Sequence, residues 1–166
     1  SMNSVLSPIY FKLFALKDQA KSKKLVNSLT IFWFLFLWVM CVLVSLWCKE
    51  IMSFLYRNSE FSDLYKYVPF LLTGMMYRPF YVACVDKNIF LESTKSILFI
   101  SGGGGIINLV LNLIFVPFYG IEAALYITFF SYLYMGFSGF YINSIKKNID
   151  FSYPPILFII IILITL

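Results

Sequence analysis

Charge, histidine and long polar loops are what this sequence has least of. Of 166 residues, 13% are charged and none is histidine. With no histidine the commonest general base and the commonest metal ligand are missing, which argues against an enzyme. The three cysteines, Cys41, Cys48 and Cys84, lie in apolar runs and form no CxxC pair. They read as small buried hydrophobes, with no disulfide framework and no metal site behind them. The longest loop between the expected complete spans is the 18 residues of 49–66, which leaves no visible room for a catalytic domain. No cofactor is expected.

What is present is apolar. Hydrophobic residues make up 61% of the chain and the mean hydropathy is +0.85. A soluble domain is roughly half apolar and a quarter charged, so one small core could not hide this much apolar surface. The charges are bunched, and the stretches between them are long enough to need lipid as solvent.

The run 29–48 is 20 residues without a charge, enough at ~1.5 Å per residue to cross a ~30 Å hydrocarbon core. Trp33, Trp38 and Trp47 punctuate it, the last at an end where aromatic belts form. Further spans are expected at about 67–85, carrying only Arg78, at 96–119 and at 121–145. A partial span at 155–166 follows Pro154-Pro155, and another at 3–16 is broken by Pro8. The latter has no basic leader before it and no small-residue cleavage site after it, so it does not read as a signal peptide.

The expected fold class is therefore all-α: a polytopic transmembrane helix bundle with four complete spans and a partial span at each end. Residues 1–166 form one bundle, read as an internal fragment of a larger protein. Alternate loops carry nine and three basic residues. An excess of Lys and Arg marks the cytoplasmic side, which places 17–28 inside. The net charge of +5 thus reads as topology, and no nucleic acid is expected as a partner.

The third expected span ends in Asn108-Leu-Val-Leu-Asn112-Leu-Ile-Phe-Val-Pro117-Phe-Tyr-Gly120-Ile121-Glu122-Ala123-Ala124. With the order of spans and basic links around it, this string resembles the LN..LIP..GI.GAA signature of bacterial polysaccharide-lipid flippases. These are the Wzx-type O-antigen and repeat-unit translocases of the multidrug/oligosaccharidyl-lipid/polysaccharide exporter superfamily. The resemblance covers about residues 5–147. It implies the C-terminal half of a two-bundle exporter in the bacterial inner membrane that flips a polyprenyl-diphosphate-linked oligosaccharide. The partners it implies are that lipid-linked oligosaccharide, membrane lipids, the missing half of the same polypeptide and other polysaccharide-assembly membrane proteins. Glu122 departs from the pattern, standing where the family has Gly, and could loosen a helix contact.

Several residues in these spans bear on function. Arg78 sits about eight positions from Asp86, or ~12 Å into its span, where a charge costs at least ~2–3 kcal/mol. Either it lines a cavity and holds a substrate phosphate bidentately, or it pairs structurally or snorkels to the interface. Asn108 and Asn112, at i and i+4, share a helix face and serve as interhelical glue or as substrate contacts. Gly102, Gly103, Gly104 and Gly105 each cost ~1 kcal/mol in a helix interior; they mark tight packing, with the second and third spans meeting there, or a hinge. They are not a phosphate loop, since no GK[ST] follows.

Pro117 and Gly120 are expected to stop one helix and start the next across an outer turn. Tyr126, Tyr132, Tyr134 and Tyr141 stack on sugars or anchor the interface. The basic link, Lys12 to Lys24, is a topology signal or attracts headgroups or an incoming pyrophosphate.

Two rival functions carry sequence tests. A drug/cation antiporter of the same superfamily wants a membrane-embedded carboxylate, and the expected spans offer only Glu122, at an end. A membrane-embedded glycan polymerase or glycosyltransferase wants an acid or histidine and a sizeable loop, neither of which is visible.

Overall fold

The structure is a computed structural model that describes residues 2–55, 65–141 and 155–164. It is helical, with no strand among the described residues. Helix α1 is Met2–Phe14, α2 Gln19–Leu46, α3 Cys48–Leu55, α4 Val68–Met75 and α5 Arg78–Phe90. A short α6, Thr94–Ile97, passes through a π-helical turn, Leu98–Gly102, into α7, Gly103–Phe137. A 3₁₀ turn, Ser138–Phe140, and α8, Pro155–Ile164, follow. Among the described residues, three stretches are long and apolar enough to cross a membrane: Gln19–Leu46, Val68–Phe90 and Thr94–Phe140. By that measure the chain is compatible with a multi-pass membrane protein, with three candidate spans where the sequence led us to expect four and two partial ones.

Several boundaries differ from expectation for identifiable reasons. Pro8 lies inside α1 and does not break it. The basic segment 17–28 is not a loop, because α2 begins at Gln19. Asp18 caps it, its Oδ1 accepting from the backbone N–H of Ala20 (3.0 Å) and Lys21 (3.1 Å). The second stretch runs on to Phe90 and is interrupted at Met76–Tyr77. Pro79 causes the interruption: it has no N–H to offer the carbonyl of Met75, and its ring suits the first turn of a new helix. The expected loop basics Arg57, Lys146 and Lys147 lie outside the described residues.

Helix α7 is two helices in one. Gly120, at φ 64° and ψ −146°, is the one non-helical residue inside it, and the chain folds back there. Tyr134 on the later arm donates its hydroxyl to the carbonyl of Phe99 (3.2 Å), and Gly103 and Gly104 face Tyr134 and Met135. The reversal takes a single residue. Pro117 sits within the first arm and does not end it.

Two cores hold the bundle. Phe34, Phe80 and Phe158 join α2, α5 and α8, with ring centroids 4.6–5.4 Å apart, and Phe129 and Phe137 of the later α7 arm complete that core. Leu6, Tyr10 and Phe14 of α1 pack on Val26 of α2 and on Val82 and Ala83 of α5. Helix α5 therefore serves both. The outer faces are apolar as well: Phe32, Leu35 and Val39 on α2, and Ile106, Leu109 and Leu113 on α7, are exposed. Contiguous exposed surface of this kind needs lipid or a protein partner against it.

Candidate functional site

Arg78 is the first residue of α5, directly after the interruption, and is half-buried. Because the helix continues to Phe90, Arg78 lies ~18 Å from its C-terminal end at 1.5 Å per residue, farther from the end of the helical stretch than the sequence indicated. The interruption is closed by local hydrogen bonds. Met76 N–H donates to the Thr73 carbonyl (3.2 Å), and Phe80 and Tyr81 N–H donate to the Tyr77 carbonyl (3.0 and 3.3 Å). Tyr77 fills the space beside Gly136 and lies 5.3 Å from the Tyr132 ring.

The glycine quartet lies where the π-helical turn becomes α7. A Cβ on Gly103 would come within 2.7 Å of the Tyr134 hydroxyl, and one on Gly104 would overlap the Met135 side chain. Gly102 meets only Leu98 of its own turn, and Gly105 has nothing within 4 Å. Close approach is thus the business of Gly103 and Gly104, and their partner is the later arm of α7. The second expected span also reaches this level, through Tyr81 and Ser101, whose hydroxyls are 2.9 Å apart.

Asn112 donates its Nδ2 to Asn108, to the carbonyl at 2.8 Å and to Oδ1 at 3.0 Å. Asn108 Nδ2 reaches Thr128 Oγ1 across the hairpin at 3.4 Å, and Thr128 donates back to the Ala124 carbonyl (2.7 Å). The first asparagine of the motif bridges the arms and the second orients it. At the closed end, Tyr67 donates to Glu122 Oε1 (3.0 Å), tying the start of α4 to the residue that departs from the family pattern.

The aromatic side chains divide. Tyr134 and Tyr141 line a cavity of about 370 Å³ with Phe99 and Phe137, whereas Tyr126 packs on Phe70 (5.0 Å) and Tyr132 on Tyr77.

Sequence reasoning missed Asp86. It lies in α5, 4% exposed, with Oδ1 accepting from the Ser7 hydroxyl of α1 (3.0 Å) and Oδ2 buried without a partner among the described residues. Two residues on, Asn88, fully buried, donates to the Cys84 carbonyl (2.7 Å) and has no partner for its own Oδ1 among the described residues. Tyr10 and Thr30 share a hydrogen bond (2.9 Å) in the same α1–α2–α5 core. Glu122 is therefore not the only acid in the spans. Buried acceptors without donors are uncommon and mark either strain or a place for a cation or proton.

A scan against protein-family models found no match, and neither a search of curated proteins nor one of solved structures found any.

Proposed function

We propose that the chain is part of an inner-membrane transporter that flips a polyprenyl-diphosphate-linked oligosaccharide to the outer leaflet. In this reading each arm of α7 crosses the membrane, which with Gln19–Leu46 and Val68–Phe90 gives four crossings, and α1 and α8 belong to partial ones. The observation that carries the reading is the interrupted helix with Arg78 as the first residue of its second half. Discontinuous helices in transporters aim the positive end of a half-helix at anionic substrate groups. A guanidinium at that end adds a formal charge and the geometry to hold a phosphate bidentately. The resemblance of the Asn108–Ala124 string to the flippase signature supports the same assignment.

The test is complementation. The open reading frame that encodes this chain is expressed in a bacterium lacking its repeat-unit flippase, and surface glycan is measured. Restored glycan that is lost on Arg78→Gln, at equal membrane abundance, supports the proposal. No restoration overturns it.

Asp86 favours a second reading, a cation-coupled antiporter of the same superfamily. Its buried, half-paired carboxylate is the embedded acid that such coupling requires. Under that reading the same strain gains drug efflux that Asp86→Asn abolishes, and no glycan is restored.

A further inference from the structure

Asp86 meets α1 in a buried seam, shared with α2, whose hydroxyl hydrogens can be counted. The Ser7 hydroxyl gives its one hydrogen to Asp86 Oδ1 (3.0 Å). Thr30 gives its own to the Val26 carbonyl (2.8 Å), so in the 2.9 Å contact between Tyr10 and Thr30 it is Tyr10 that donates. Both hydroxyls of α1 have thereby spent their hydrogens. Asp86 Oδ2, Ser7 Oγ and Tyr10 Oη keep lone pairs that receive no hydrogen bond among the described residues. Ser7 and Tyr10, at i and i+3, share a face of α1. Tyr10 is close enough to Asp86 to feel its charge.

The carboxylate has no ion pair among the described residues. Lys87, next in the chain, holds its ammonium 4.5 Å from the Phe14 ring centre and 5.4 Å from that of Phe90. A proton on Oδ2 would cancel the charge, but it would turn an acceptor without a donor into a donor without an acceptor. It would also leave the lone pairs of Ser7 and Tyr10 as they are. A metal cation answers all three oxygens at once, and oxygen ligands are what hard cations take. Charge and packing narrow its identity. One carboxylate balances one positive charge, and no group of three His, Cys, Asp or Glu gathers among the described residues to hold a divalent ion. Leu6, Tyr10 and Ala83 are fully buried around the seam, and Val26 and Val82 nearly so. Such close packing favours a small ion stripped of its water.

We propose that the seam between α1, α2 and α5 binds one small monovalent metal ion, of the size of Na⁺ or Li⁺, with Asp86 and the hydroxyl oxygens of Ser7 and Tyr10 as its ligands. The ion displaces no hydrogen bond already made, because each ligand offers lone pairs that no donor occupies. Binding rests on these three side chains alone. Only the use of the ion to drive transport rests on the antiporter reading given above for Asp86.

The experiment uses the full chain purified in neutral detergent, with choline chloride holding the ionic strength constant. Binding of radioactive sodium is measured at equilibrium. One ion per chain is expected, displaced by unlabelled Na⁺ and Li⁺ and not by choline or Ca²⁺. Asp86→Asn, which keeps an acceptor for Ser7, should abolish binding. Ser7→Ala and Tyr10→Phe should each weaken it about tenfold. Glu50→Gln, exposed on α3, should leave it unchanged. Continued protection of the buried cysteines from maleimide shows that each variant is folded.

A folded chain that takes up no sodium overturns the site. Uptake that survives Asp86→Asn, or that falls as far in Glu50→Gln, overturns its assignment to this seam. Displacement by Ca²⁺ as effective as by Na⁺ overturns the monovalent assignment. Sodium binding that persists in a protein conferring no drug efflux removes the antiporter reading and leaves the site standing.

Discussion

Ser7 and Asp86 are 79 positions apart in the chain and share a hydrogen bond of 3.0 Å between α1 and α5. It is the one bond the Asp86 carboxylate receives among the described residues, and its other oxygen is buried and unpaired. Ser7→Ala leaves both oxygens without a donor, which costs about 1–3 kcal/mol. Asp86→Asn keeps an acceptor for Ser7 and removes a buried charge, so it should hold or raise stability. Cys41, Cys48 and Cys84 are free and buried, so maleimide fluorescence on heating reports unfolding directly. The midpoint should fall in Ser7→Ala and not in Asp86→Asn. The reverse order would show that the pair does not stabilise the contact of α1 with α5.

Three glycines form a graded series. A Cβ on Gly136 would overlap the stem of the Tyr77 side chain, which cannot move without its backbone. One on Gly104 would overlap the more pliable Met135, and one on Gly105 meets nothing. Gly136→Ala should be the most destabilising, by about 1–3 kcal/mol as an overpacked site. Gly104→Ala should cost less. Gly105→Ala should stabilise by up to ~1 kcal/mol through helix propensity. Equal effects at the three positions would mean that the helices do not approach as described.

Gly120 has a backbone conformation, φ 64° and ψ −146°, that lies near a region occupied almost only by glycine. Gly120→Ala should cost about 1–3 kcal/mol. Gly120→Asn should not rescue it, because asparagine tolerates the left-handed helical region, where ψ is positive. Recovery in the asparagine variant would place the residue in an ordinary left-handed turn.

Across the hairpin, the Asn108–Thr128 contact is long for a hydrogen bond, at 3.4 Å. A double-mutant cycle of Asn108→Ala and Thr128→Val should give a coupling of about 0.6 kcal/mol, the average for polar contacts between membrane helices. Asn112→Ala should act through Asn108, lowering that coupling. An unchanged cycle in the Asn112→Ala background would separate the two residues.

What the sequence disclosed and what it concealed divide along one line. The charge-free run after Leu29 and the glycine at 120 act locally, so spacing alone makes them legible. The reach of α2 back to Gln19 was hidden because lysines in a helical first turn look like lysines in a loop until Asp18 is seen capping them. Asp86 does not stand out in the sequence because it lies next to Lys87 and Asn88, a polar triplet that reads as the end of a span. Its hydrogen-bond donor is Ser7, 79 residues away, and no local pattern encodes that contact. The glycine quartet stood out and α5 does reach its level, through Tyr81 and Ser101, but the side chains against Gly103 and Gly104 are those of the later α7 arm, since periodicity shows that a helix is approached closely and not by which neighbour.

The single-residue turn at Gly120 also bears on how the chain is made. With no slack between them, the arms of α7 form one apolar unit of 47 residues, Thr94–Phe140, and under the four-crossing reading proposed above they would enter the membrane together. An asparagine entering hydrocarbon alone would have to leave water unpaired, at a cost of several kcal/mol. Delivered together, the arms would bring Asn108 in already opposite Thr128 and Asn112 already on Asn108, so that neither amide would enter lipid unescorted.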